Sequence, residues 1–80
     1  MTVRVLLYGH YRDIGPHWDI ENLPETATVA DLIARLEAAD PRFVRAGERA
    51  RVAVDAEFGT PETPLRPGCE VALLPPMSGG

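Results

Sequence analysis

Over VRVLLY, Val3, Val5 and Leu7 alternate with Arg4, Leu6 and Tyr8, so Val3 to Tyr8 predicts a first strand with period two. Gly15-Pro16 punctuates the chain after Arg12-Asp13-Ile14, and His17 to Leu23 returns as a second strand with Trp18, Ile20 and Leu23 inward, which makes a hairpin. From Thr28 the period changes. Val29, Leu32, Ile33 and Leu36 in TVADLIARLEAAD fall at i, i+3, i+4 and i+7, one apolar stripe of an α-helix. Thr28 is its N-cap, Asp31 supplies a short variant of the capping box and a favourable charge in the first turn, and Pro41 ends it. Arg42 to Ala50 predicts irregular surface anchored by Phe43 and Val44. Arg51 to Asp55 predicts a strand with Val52 and Val54 on one face, and a turn at Asp55-Ala56 hands over to a short segment at Glu57 to Gly59. Pro61, Pro64 and Pro67-Gly68 break the pattern until Glu70 to Leu74, a last strand whose Val71 and Leu73 face Val3, Val5 and Leu7.

This order, with a single helix, predicts an α+β domain in which a mixed sheet packs one face on that helix. The other face then carries Leu6, Tyr8, Ala72 and Leu74 where polar residues are expected, and Phe58 joins them if the preceding turn has the right parity. A contiguous apolar patch of this kind, with Tyr and Phe in it, reads as a surface for another protein.

Size and charge narrow the function. Eighty residues make one domain with one core, since a chain this short buries only about 60% of its unfolded surface. Hydrophobic residues at 45% and charged ones at 25% suit a soluble globular protein. Cys69 is the single cysteine, which excludes a disulfide framework and a four-cysteine zinc or iron–sulfur site within one chain, and with it a plant-type ferredoxin. His10 and His17 lack ligand spacing to a cysteine or a second carboxylate and read as surface residues; no metal site is expected. No run approaches a membrane span, and MTVRVLLYGH has no signal-peptide cleavage site, so the cytoplasm is the expected compartment and no membrane a partner. A net charge of −4 without a basic block argues against nucleic acid. All eight basic residues are arginines, so no lysine can accept an isopeptide bond.

The tail is the remaining feature. Pro75 and Pro76 end sheet pairing and send the chain outward in extended form, and the six residues from Pro75 to Gly80 reach about 20 Å at most. Gly79 and Gly80 have no Cβ, so they can thread a channel too narrow for other residues and bring the α-carboxylate close to a catalytic site. The expected division is a domain over 1–74 and an extended, flexible Gly-Gly tail over 75–80.

VRVLLYG, TVADLIARL, VAVDAEF, TPLRPGCEV and above all EVALLPPMSGG resemble the MoaD/ThiS family of ubiquitin-like sulfur carriers over essentially the whole chain, and the ending is similar to that of the small subunit of molybdopterin synthase. The resemblance implies a β-grasp fold. It also implies that an E1-like activating enzyme adenylates the C-terminal carboxylate with ATP and that a sulfur donor protein displaces AMP, leaving a thiocarboxylate. Carried over by position, Gly80 bears the adenylate and then the sulfur, and Gly79 passes with it into the partner's active site. Leu6, Tyr8, Phe58, Leu74, Pro75, Pro76, Met77 and Ser78 become the partner-binding set. The implied partner is the large subunit of molybdopterin synthase, in a heterotetramer, which holds the pterin precursor whose dithiolene the tail sulfur builds. The chain is then a carrier with no catalytic side chains of its own and no permanently bound cofactor.

Two positions depart from the family pattern. Cys69 in PGCEV stands where Asp is common, and reads as a redox handle or, in preference, a small residue entering a buried strand. Asp55-Ala56 replaces a more usual Asn-Gly turn. The alternatives are a sulfur carrier for thiamine, cysteine or tRNA thiolation, all sharing the Gly-Gly end, and a β-grasp binding module that docks by its outer face and carries no sulfur.

Overall fold

A computed structural model of the chain describes residues 1–44 and 50–75. The expectations for Pro76, Met77, Ser78, Gly79 and Gly80, and for positions 45–49, lie outside the described residues.

Five strands form one mixed sheet: β1 (Val3–Leu7), β2 (His17–Ile20), β3 (Arg51–Val54), β4 (Glu57–Phe58) and β5 (Val71–Leu74), in the spatial order β2-β1-β5-β3-β4. β1 is antiparallel to β2 and parallel to β5, while β3 is antiparallel to both β5 and β4. The parallel β1–β5 pair needs a long crossover, and everything between residues 8 and 70 supplies it, including α1 (Val29–Ala39).

α1 starts as its sequence predicts. Thr28 has extended backbone, its side chain accepts from the Asp31 N–H, and the Asp31 carboxylate accepts from the Thr28 N–H (2.9 Å), a reciprocal cap. Val29, Leu32 and Leu36 are buried; Ile33, the fourth residue of the stripe, is half-buried beside the sheet's β3 side. Against them lie Val3, Val5 and Leu7 of β1, Ile20 of β2, Val52 of β3, and Val71 and Leu73 of β5, all under 5% exposed. The inward parity expected for β1 and β5 therefore holds at every position.

The ends of elements differ from expectation for local reasons. Tyr8, expected in the first strand, instead leaves β1 and caps a 3₁₀ helix (Gly9–Asp13) that the hydrophobic pattern does not mark. Its Tyr11 is buried, because Tyr11, Trp18 and Phe43 close one corner of the core: Trp18 meets Phe43 edge-on at 5.3 Å and Tyr11 lies 6.3 Å from it. β2 stops at Ile20 since Asn22 takes a left-handed backbone (φ 61°), yet Leu23 is still buried beyond it. Phe43, on a second 3₁₀ helix (Pro41–Phe43), anchors as expected; Val44 does not, being 56% exposed. Asp55 belongs to the turn and not to β3, Gly59 lies outside β4, and Glu70 precedes β5. Leu65, fully buried with its N–H donating to the Ala27 carbonyl (2.9 Å), is a core residue the proline-rich segment concealed. Cys69 is half-buried and packs against the core just before β5, and His10 is half-buried with its ring 4.2 Å from that of Tyr11, while His17 is exposed. Among the described residues no helix is long and apolar enough to cross a membrane.

Candidate functional site

Alternation along a strand fixes what the helix-free face carries. With Val3, Val5 and Leu7 inward, Leu6 points outward, and its register partners are His17 on β2 and Ala72 on β5. Ala72 is opposite Ala53 of β3, and Ala53 is opposite Phe58 of β4. One row across the whole sheet therefore reads His17, Leu6, Ala72, Ala53, Phe58. A second row pairs Leu74 with Arg51 at the end where β5 gives out, with Tyr8 following β1 alongside.

Phe58 reaches this face because Asp55 and Ala56 both take left-handed backbone (φ 51° and 69°), the geometry of a tight two-residue hairpin turn whose twist matches the flanking strands. The Asp55 side chain stabilises it, accepting from the Glu70 N–H (3.0 Å), while the Asp55 N–H donates to the Glu70 carbonyl (2.8 Å). Asp55 thus secures both the turn and the start of β5. Phe58 is 61% exposed and Tyr8 41%; Leu6, Leu74 and Pro75 are half-buried. The Arg51 guanidinium lies 4.0 Å from the centre of the Phe58 ring, a cation–π contact.

The structure therefore brings Leu6, Tyr8, Phe58 and Leu74 to one side of the sheet, with Pro75 following where β5 ends, and adds Arg51, Ala53 and His17. These three were missed, although placing Val52 and Val54 on one face already put Arg51 and Ala53 together on the other. At the far corner Arg4 and Asp19 face each other across β1 and β2, with two hydrogen bonds (2.9 and 3.2 Å). The Arg4 hydrogen bond holds the Asp19 carboxyl below its ordinary value. A carboxylate with a depressed folded-state pKa favours the fold above the unfolded value, near pH 4, and that contribution is lost as pH falls through the folded value. Thermal unfolding of wild type and Arg4→Ala is accordingly expected to differ slightly at pH 7 and to converge near pH 2.

The hollow beside Phe58, lined by Val29, Ile33, Arg51 and Thr60, brings no acid–base pair to a nucleophile. Among the described residues no three His, Cys, Asp or Glu side chains converge to hold a metal ion. What the arrangement offers is a partly apolar face with Arg51 beside Phe58 and the Arg4–Asp19 pair at the far corner, at whose edge the central strand β5 runs into Pro75.

The sequence profile of the ThiS family matches residues 5–80. The molybdopterin synthase sulfur carrier subunit of Chlamydomonas reinhardtii is 31% identical over 83 residues, covering all of both chains. Two solved structures share the architecture over the full length of both chains: SAMP1 from Haloferax volcanii (TM-score 0.79, 23% identity) and a chain in the complex of subunits 1 and 2 of the Helicobacter pylori molybdopterin-converting factor (TM-score 0.68, 25% identity). The five-stranded sheet on one helix is thus the ubiquitin-like β-grasp fold, and the chain belongs to the ThiS family, as a sulfur carrier of the ThiS/MoaD type.

Proposed function

We propose that this chain is the small, sulfur-carrying subunit of a molybdopterin synthase, and that Gly80 is the residue that carries the sulfur. The observation that carries the reading is the continuity between face and tail: the outward-facing Leu74 ends the central strand, and Pro75 leads from it directly toward Gly79 and Gly80. A partner that docks on Leu6, Tyr8, Phe58 and Leu74 receives the chain's end at the edge of the same contact. The name of the Chlamydomonas relative and the two-subunit complex of the Helicobacter relative support a large-subunit partner.

The chemistry asked of the chain is confined to one group. Its C-terminal carboxylate attacks the α-phosphorus of ATP on an activating enzyme, pyrophosphate leaves, and the resulting acyl adenylate is a far better electrophile than the carboxylate. Hydrosulfide attacks that acyl carbon and AMP leaves, giving the thiocarboxylate; where the sulfur comes as a donor protein's persulfide, the attack gives an acyl disulfide, which a second thiol of the donor cleaves, forming the donor's disulfide and releasing the thiocarboxylate. The thiocarboxylate then attacks the pterin precursor on the large subunit. The fold's own contribution is to present the tail and to bind the two partners in turn by one face.

The reading is tested by incubating the chain with an activating enzyme, ATP and a sulfur source and weighing it intact. The expected product is heavier by the exchange of one oxygen for sulfur, at the C-terminus. A gain on Cys69 with the tail unchanged overturns the proposal. The purified thiocarboxylated chain alone is expected to convert no pterin precursor, and to do so when a large subunit is added; turnover without it would place the catalytic groups on this chain and contradict the carrier role.

A further inference from the structure

β1 and β5 run side by side, and the Tyr8 N–H donates to the Leu73 carbonyl (3.1 Å), carrying their pairing one step past Leu7. Beyond that point the two chains must part. The first turns into the 3₁₀ helix at Gly9, and the second goes on to Pro75. Gly9 makes its turn with φ at 59°, in the left-handed region. A Cβ built on Gly9 would stand 2.5 Å from Cγ and 2.8 Å from Cδ of Pro75, inside any van der Waals contact. The Pro75 ring therefore occupies the space a side chain at position 9 would need. Gly68 offers a contrast within the same molecule: its φ is 81°, and a Cβ there would meet nothing within 4 Å.

We infer that Gly9 is a positioning residue: by leaving room for the Pro75 ring, it sets the direction in which the chain leaves β5, and so the efficiency with which the terminal carboxylate is delivered to an activating enzyme. The inference rests on the carrier reading above and extends it to a residue far along the sequence from the tail. Proline's φ is held near −65°, so a ring seated against Gly9 fixes the exit angle at its base. The five residues beyond can reach at most about 17 Å, so the direction set at Pro75 limits which part of a partner's surface the terminal carboxylate can meet. Misplacement of a reacting group by about 1 Å can cost as much as 100-fold in rate.

The test measures kcat/KM for thiocarboxylate formation with an activating enzyme, ATP and sulfide, together with the hydrogen-exchange rate of the Tyr8 amide, in Gly9→Ala, Gly9→Asn, Gly68→Ala, Pro75→Ala and the double variant Gly9→Ala/Pro75→Ala. Alanine at 9 or at 68 strains the backbone alike, but only at 9 does it strike Pro75. Asparagine accepts the left-handed backbone while still carrying the offending Cβ. Both Gly9 variants are expected to lose about tenfold or more in kcat/KM and to speed Tyr8 exchange, with Gly68→Ala unchanged in both. In the Pro75→Ala background, where Cγ and Cδ are gone, adding Gly9→Ala is expected to cost no more than about twofold further. The inference is overturned if the Gly9 variants load like wild type, if Gly68→Ala loses as much, or if the loss at Gly9 persists undiminished without the proline ring. Failure of wild type itself to load refutes the carrier reading instead; Tyr8 exchange still decides whether Gly9 seats Pro75.

Discussion

Deletion of Gly80 is expected to abolish sulfur loading completely and to leave thermal unfolding where it was. Among the described residues the buried ones all lie between Val3 and Leu73, so removing the last residue takes nothing from the described core. Loading, in contrast, needs an acyl group of a particular reach and width. After deletion the terminal carboxylate belongs to Gly79, one residue short, about 3.5 Å nearer the domain, with Ser78 brought into the space that Gly79 is proposed to thread. Both the reach and the clearance fail together, so the expected loss is larger than a side-chain substitution would give. Intact mass after incubation with activating enzyme, ATP and sulfur source reads the first expectation, and a melting curve the second. Normal loading of the shortened chain would show that the identity and position of the terminal residue are immaterial, and would remove the main support for the carrier proposal.

The second large effect is expected from Leu74→Glu, as a loss of affinity for the large subunit of roughly 100-fold or more, the cost of desolvating an unpaired carboxylate in an apolar contact. The same substitution is expected to cost about 1 kcal/mol in stability, because Leu74 is half-buried on the face away from the helix and not in the core. Its register partner is Arg51, opposite it on β3, which can answer a glutamate across the strands and soften the effect on folding. In the complex that compensation must compete with the Arg51–Phe58 contact. Binding by calorimetry and unfolding on the same sample separate the possibilities. A variant that stays folded and binds normally shows that the face is ordinary surface. One that unfolds shows Leu74 to be structural, contrary to its outward position.

These expectations draw on two kinds of information, and the chain divides them unevenly. Strand parity, the α-helix and its cap were legible in the sequence because each depends on neighbours within four residues. Valine and leucine alternating over Val3–Leu7, the stripe from Val29 to Leu36, and Thr28 with Asp31 are local statements of which side is apolar. The β-grasp assignment and the sulfur-carrier class came from a resemblance carried by short stretches spread over the whole chain, chiefly the ending EVALLPPMSGG.

Tertiary structure decided what depends on residues distant in sequence. No periodicity marks Tyr11 or Leu65 as core; Tyr11 is buried because it closes one corner with Trp18 and Phe43, and Leu65 because the proline-rich segment is bonded back to Ala27. Nor does alternation within β3 reveal that Ala53 lies between Ala72 and Phe58, since register across strands is set by the turn at Asp55-Ala56 and by the bonds between Asp55 and Glu70. The seat of Pro75 on Gly9 joins residues 66 positions apart. A glycine in YGHY looks like any turn glycine until the parallel pairing of β1 with β5 brings the base of the tail against it. The sequence by itself determined which faces exist, and its resemblance to a family gave the sulfur-carrier class. Which side chains share the outer face, and what the tail leans on as it leaves, follow only from strand order, because contact between distant segments is fixed by packing and not by local pattern.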